Sequence, residues 1–169
     1  MINQSDVILN NDIYYLNGVL KMTLKADFPN LNTKEPDGIK PNGSSYKVMV
    51  VDGKDFHKKQ IVQILESERY QVVDTASNGK EALEKAEKYK GKLDLITTEL
   101  DMPIIDGYAM LYELKQKGNM PLVVFISEDT TKGVMQDLIS MGAKDFILKP
   151  VNRRLILERV KNVLTKYSS

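Results

Sequence analysis

The chain has 169 residues, enough for one ordinary domain plus an extension, and its 42% hydrophobic and 28% charged residues are the balance of a globular fold. It has no cysteine and a single histidine, His57, which excludes a disulfide framework, a thiolate metal centre, a histidine-rich metal site and a histidine-based triad within one chain. The net charge of +1 argues neither for nor against nucleic acid, and the longest apolar runs are too short to span a bilayer. The N-terminal MINQSDVILNN lacks the basic start of a secretory signal, so the expectation is a cytoplasmic protein without membrane insertion.

In chain order, DIYYLNGVLKMTLK comes first. Asn17-Gly18 sits between apolar runs, and Leu20, Met22 and Leu24 alternate, which favours a hairpin; Leu9, Ile13, Leu16 and Leu20 also fit a helix face. An isolated hairpin is barely stable, so this one is expected to need a partner, a second copy or the main domain's surface. Residues 29–45 hold three prolines and two glycines among Asn, Asp and Ser, and read as a linker. Residues 1–45 are therefore an N-terminal extension and 46–169 the main domain.

The main domain alternates two patterns. YKVMVVD (46–52) is a buried-strand run, and 55–68 place Phe56, Ile61, Ile64 and Leu65 near helical spacing. A strand at 70–76 precedes a polar helix at 77–91 with Ala82, Leu83 and Ala86 inward. LDLITT (93–98) is a third strand, followed by a helix at 107–118 that enters at Asp106-Gly107 and ends at Gly118. PLVVFIS (121–127) is a fourth strand, 130–141 a helix closed by Gly142, KDFILK (144–149) a fifth strand, and 152–166 a last helix capped by Asn152. Five strand–helix repeats with strands apolar throughout predict an α/β fold: a five-stranded parallel sheet, doubly wound, in a three-layer sandwich.

In that architecture ligands sit at the carboxyl ends of the strands. Asp52 and Gly53 follow the first strand, and Glu99 the third. Ser127, Glu128 and Asp129 follow the fourth, and Lys149-Pro150 the fifth. One sheet edge thus gathers carboxylates, a hydroxyl and an ammonium that packing does not need.

These residues resemble the receiver domain of two-component response regulators, a flavodoxin-like fold. KVMVVDGKDFHKKQIVQILE resembles the family's first strand, acidic loop and first helix, and ELDMPIIDG the segment around its phosphoacceptor aspartate. VVFIS resembles the strand ending in a hydroxyl, and AKDFILKP the strand with the switch aromatic and Lys-Pro. The match runs over about residues 46–166 in order and spacing. In the family, two acids after the first strand help bind Mg²⁺, an aspartate takes a phosphoryl group from a histidine kinase, and the hydroxyl and lysine bond its oxygens. The resemblance makes Asp52 the first acid, Ser127 the hydroxyl, Lys149 the ammonium and Phe146 the switch aromatic. Two positions depart: Gly53 stands at the second acid and Glu99 at the phosphoacceptor.

Mg²⁺ needs near-octahedral oxygen ligands, so with Gly53 the implied site of Asp52, Glu99 and Asp101 is expected to bind it weakly or not at all. Glutamate's extra methylene displaces the attacking oxygen, and a misplacement of about 1 Å can slow such a reaction on the order of 100-fold. The longer side chain also brings a carboxylate toward Ser127 and Lys149, where it can partly imitate a phosphoryl group. The expectation is a chemotaxis-like, non-enzymatic receiver that acts by protein contact, independent of phosphorylation or imitating it. If Glu99 imitates activation, it should meet Lys149 and Ser127, with Phe146 turned inward. If the site is merely degenerate, Lys149 pairs with Asp52 and Phe146 points out.

Alternatives remain open. One is a working phosphoacceptor that is phosphorylated with Mg²⁺ and then hydrolyses itself; another is a receiver altered at this position to imitate activation. A cofactor binder on the same fold ranks low, because DGKDFHK lacks a glycine-rich phosphate loop. His57 reads as a solvated helix residue. Four lysines against five acidic residues in 1–45 disfavour DNA, and with the last helix ending at LTKYSS no following output domain is expected. The expected partners are therefore proteins: one that contacts the face of the fourth and fifth helices and fifth strand, with the extension as a further candidate contact, and a histidine kinase as the candidate phosphodonor.

Overall fold

The computed structural model describes residues 13–16, 19–22, 34–118, 120–128 and 130–168. Two compact units emerge, residues 1–35 and 36–169. In the first, β1 (Ile13–Leu16) and β2 (Val19–Met22) pair antiparallel, with Ile13 opposite Met22 and Leu16 opposite Val19. This is the pairing that alternation suggests over a helix; Asn17 and Gly18 themselves lie outside the described residues.

The second unit begins at Pro36, ahead of the boundary read from composition. Residues 36–45 have a linker's composition but are tied into the domain. Ile39 bridges Ser45, the Gly38 amide donates to Glu68 O and Tyr46 N to Gly38 O, both at 2.8 Å. Lys40 Nζ meets Asp94 at 2.7 Å and Lys161 meets Asp37 at 3.0 Å. Turn-forming residues signal a non-repetitive backbone, and here that backbone is ordered by partners distant in sequence.

The sheet contains β3 (Lys47–Val51), β4 (Gln71–Ala76), β5 (Leu95–Thr98), β6 (Leu122–Ser127) and β7 (Asp145–Leu148), all parallel in the order β4-β3-β5-β6-β7. The helices are α1 (Asp55–Glu66), α2 (Gly79–Lys88), α3 (Gly107–Lys117), α4 (Lys132–Met141) and α5 (Arg153–Tyr167). Alternate strand residues feed opposite faces. Val48, Val50, Val124 and Ile126 pack with Ile61 and Leu65 of α1 and Ile156, Val160 and Leu164 of α5. Met49, Val51, Val123 and Phe125 pack with Ala82 of α2, Met110 and Leu111 of α3 and Leu138 of α4. The five-stranded, doubly wound α/β sandwich is therefore as the sequence predicts. Phe56 is a correction: it is 74% exposed, because it lies off the helix face that Ile61, Ile64 and Leu65 bury.

The expected helix ends are present. Asp106 accepts from Ala109 N at 2.8 Å, Asn152 accepts from Leu155 N at 3.0 Å, and Gly118 and Gly142 adopt positive φ. Gly107 is required sterically. A Cβ there would lie 2.4 Å from the Glu99 carbonyl oxygen, so only glycine lets α3 start hard against the end of β5.

Candidate functional site

The carboxyl ends of β3, β5, β6 and β7 deliver Asp52, Glu99, Ser127 and Lys149 to one depression. It has a volume of about 190 Å³ and is also lined by Gly53, Lys54, Asp101 and Glu128. That is smaller than the roughly 300–1,000 Å³ of organic-ligand sites, which counts against a flavin or nucleotide. Asp52, Glu99 and Ser127 are all buried.

Lys149 Nζ sits between the two carboxylates, 2.8 Å from Asp52 Oδ2 and 2.7 Å from Glu99 Oε2. The other Glu99 oxygen, Oε1, accepts the Ser127 hydroxyl and the Leu100 amide, the latter at 2.7 Å. Asp52 Oδ1 accepts the Lys54 amide at 2.8 Å. Every oxygen of both buried carboxylates thus has a protein donor, as buried charges require. At the mouth, Lys54 Nζ pairs with Glu128; this bond raises the Lys54 pKa and lowers that of Glu128.

Gly53 has no conformational need to be glycine. Its φ lies outside the left-handed region, and a Cβ would make ordinary contacts, 3.4 Å from Pro103 Cδ and 3.6 Å from Ser77 O. An acid is sterically possible there. Asp101 lies exposed at the rim. Among the described residues no group of three or more Asp, Glu or His side chains is placed to hold a metal ion. Phe146 is partly buried against the core on the α3–α4 side, its ring stacked on Phe125 with centroids 5.9 Å apart and planes 4° apart. The Lys149–Pro150 peptide is cis. Asp129 lies outside the described residues.

His57 departs from expectation. It leans from the first turn of α1 into the depression, with Nδ1 2.8 Å from Lys149 Nζ. It is no solvated surface residue. The signal available in the sequence was its place in a first helical turn, where side chains point back toward the helix N-terminus and hence toward the strand ends.

The response regulator receiver domain family matches residues 48–161 of the chain. The chain belongs to that family. It is 41% identical over 143 residues to chemotaxis protein CheY of Treponema pallidum (strain Nichols), covering 85% of this chain and 99% of that protein. It is 32% identical over 120 residues to CheY of Bacillus subtilis (strain 168), covering 71% and 98%. Among solved structures, the Borrelia burgdorferi CheX-CheY-BeF3-Mg²⁺ complex contains a chain matched with a TM-score of 0.75 at 33% identity, covering 78% of this chain and 98% of that one. A Vibrio cholerae protein-glutamate methylesterase is 38% identical to this receiver, but over only 27% of its own length. The likeness there is to a receiver segment. The receiver is thus of the chemotaxis type in two-component signalling, and no helix among its described residues is long and apolar enough to cross a membrane.

Proposed function

We propose that this receiver signals by protein contact, with Glu99 standing in for the phosphorylated acceptor and without stable phosphoryl transfer. The observation that carries the reading is that the Glu99 carboxylate takes both donors that the family turns to a phosphoryl group, the Ser127 hydroxyl and the Lys149 ammonium. The partly buried Phe146, stacked on Phe125, supports it, because an activated receiver is expected to pack this aromatic against the core. Lys149 also keeps Asp52, which a phosphoryl oxygen would contest. The imitation is therefore partial, one charge in place of nearly two.

The residues present do not fit Mg²⁺ as they do in a full acidic pocket. The ion would have to displace an ammonium that both carboxylates already share, and Gly53 supplies no ligand. Output is assigned to the surface of α4, β7 and α5, which carry the exposed Ile139, Leu148 and Leu155. Its partner is a protein, as CheX is the partner of CheY in the Borrelia complex. The paired strands β1 and β2 are a second candidate contact, and the cytoplasm is the expected compartment. The test is incubation with acetyl phosphate and Mg²⁺, read by intact mass. No stable gain of one phosphate is expected, and a gain mapped to Glu99 would establish the competing reading of a working phosphoacceptor.

A further inference from the structure

An ammonium has three N–H donors and no acceptor. Lys149 Nζ has three partners in the pocket: Asp52 Oδ2 at 2.8 Å, Glu99 Oε2 at 2.7 Å and His57 Nδ1 at 2.8 Å. Two of the three come from the charged acids the family pattern anticipates. The third comes from α1, and nothing in that pattern assigns it a role. Since Lys149 can only donate, His57 Nδ1 must carry a lone pair, so the imidazole is neutral with its proton on Nε2.

We propose that His57 is a positioning residue for Lys149: it completes the ammonium's coordination and holds the lysine in its Glu99-bound place. The proposal deepens the reading of Lys149 as the switch cation, and rests on it. With all three N–H groups used, Lys149 has none left for an incoming anion, so any phosphoryl oxygen must first displace His57, Asp52 or Glu99. The groups that face the ring are few. Lys149 comes from the end of β7, and Glu128 from the end of β6 with Oε1 at 3.9 Å, too far to hydrogen-bond and already paired with Lys54. Phe56 lies beside it on α1, ring centroids 5.9 Å apart. Asp52 and Glu99 stand behind the ammonium. Protonating Nδ1 would remove the acceptor and set two cations in contact.

The test uses the full-length chain labelled with ¹⁵N at lysine and histidine. The parent spectrum should show His57 protonated at Nε2 and bare at Nδ1, with a slowly exchanging Lys149 ammonium. In His57→Leu the exchange of the Lys149 ammonium with water should quicken on the order of tenfold. His57→Gln, which offers a carbonyl acceptor, should recover most of that difference. A proton on Nδ1 in the parent, an unchanged Lys149 rate in a folded His57→Leu, or no recovery in a folded His57→Gln would each overturn the proposal. The tautomer is read without any variant, so a misfolded Leu substitution does not blunt the test. Phosphate uptake at Glu99 would overturn the function proposed above while leaving these readouts standing, so the two failures are distinct.

Discussion

Replacing Lys149 with methionine keeps most of the side chain's length and removes its charge. The side chains concerned are 4% exposed for Lys149, 1% for Asp52 and 8% for Glu99, so water does little to screen what remains. Two carboxylates that shared one ammonium would face each other with only the Ser127 hydroxyl and backbone amides as donors. Removing one member of a buried ion pair costs about 3–5 kcal/mol, and here the remaining carboxylates also repel each other. Against a domain stability of roughly 5–15 kcal/mol this is a large share. With a urea dependence of about 2 kcal/mol per molar, the unfolding midpoint at neutral pH should fall by about 2 M. The same measurement with millimolar Mg²⁺ separates charge from packing. The divalent ion should restore part of the loss in Lys149→Met, by binding the freed carboxylates in the native state, and do little for the parent. A loss below about 1 kcal/mol, or an equal Mg²⁺ effect in both proteins, would refute the account of Lys149 as the pocket's own counter-ion.

Two further outcomes follow from the same geometry. Gly53→Asp combined with Glu99→Asp should both tighten Mg²⁺ binding and give a mass gain of one phosphate with acetyl phosphate. A double variant that accepts nothing would mean that Ser127 and Lys149 are not placed as in a receiver. Away from the site, Lys85 Nζ lies 2.7 Å from Glu81 and 2.9 Å from Asp74. The Lys85 bond and the Ser77 amide hold Glu81 below the usual carboxylate range; burial raises Asp74, but its Lys85 and Thr75 bonds outweigh that and leave it low. Folded values below unfolded ones stabilise the protein above the ordinary carboxylate range, about pH 4, and that stabilisation fades as pH falls through the depressed values. Lys85→Ala should therefore melt below the parent at about pH 6, by no more than about 1 kcal/mol of stability, and match it below about pH 3; a constant gap would exclude the linkage.

The sequence was most legible where local chemistry and periodicity agreed. Val48 to Val51 and Val123 to Ile126 read as buried strands because both faces are apolar, and the structure sets the two strands on either side of the central β5. Asp106 and Asn152 read as caps because capping involves residues only three apart. The strand ends brought Asp52, Glu99, Ser127 and Lys149 together by topology alone. His57 was opaque for a different reason. Its partner Lys149 is distant in sequence and meets it only where the start of α1 and the end of β7 converge on the depression, which no spacing encodes. Residues 36–45 were misread for the same reason, since their partners Glu68, Asp94 and Lys161 lie far along the chain. Phe56 was misassigned because a five-residue step to Ile61 is out of phase with the face that Ile61, Ile64 and Leu65 bury.

The two departures from the family pattern fit one electrostatic account. Two acids and an acceptor around one lysine leave a surplus of negative charge that calls for a divalent cation. With Gly53 in place of one acid, Asp52 and Glu99 exceed Lys149 by a single charge, and the ammonium can serve both. A shorter aspartate at position 99 would leave Ser127 and Lys149 free to wait for a phosphoryl group. The longer glutamate reaches them itself, and its two oxygens are then fully occupied by Ser127, Leu100 and Lys149. His57 takes the last donor on the lysine. Loss of the second acid removes the call for a metal, and the longer acceptor removes the vacancy that phosphorylation fills. A reversal of either change alone would leave the other still opposing the ordinary cycle, which is why the double substitution, and not Glu99→Asp by itself, is the informative one.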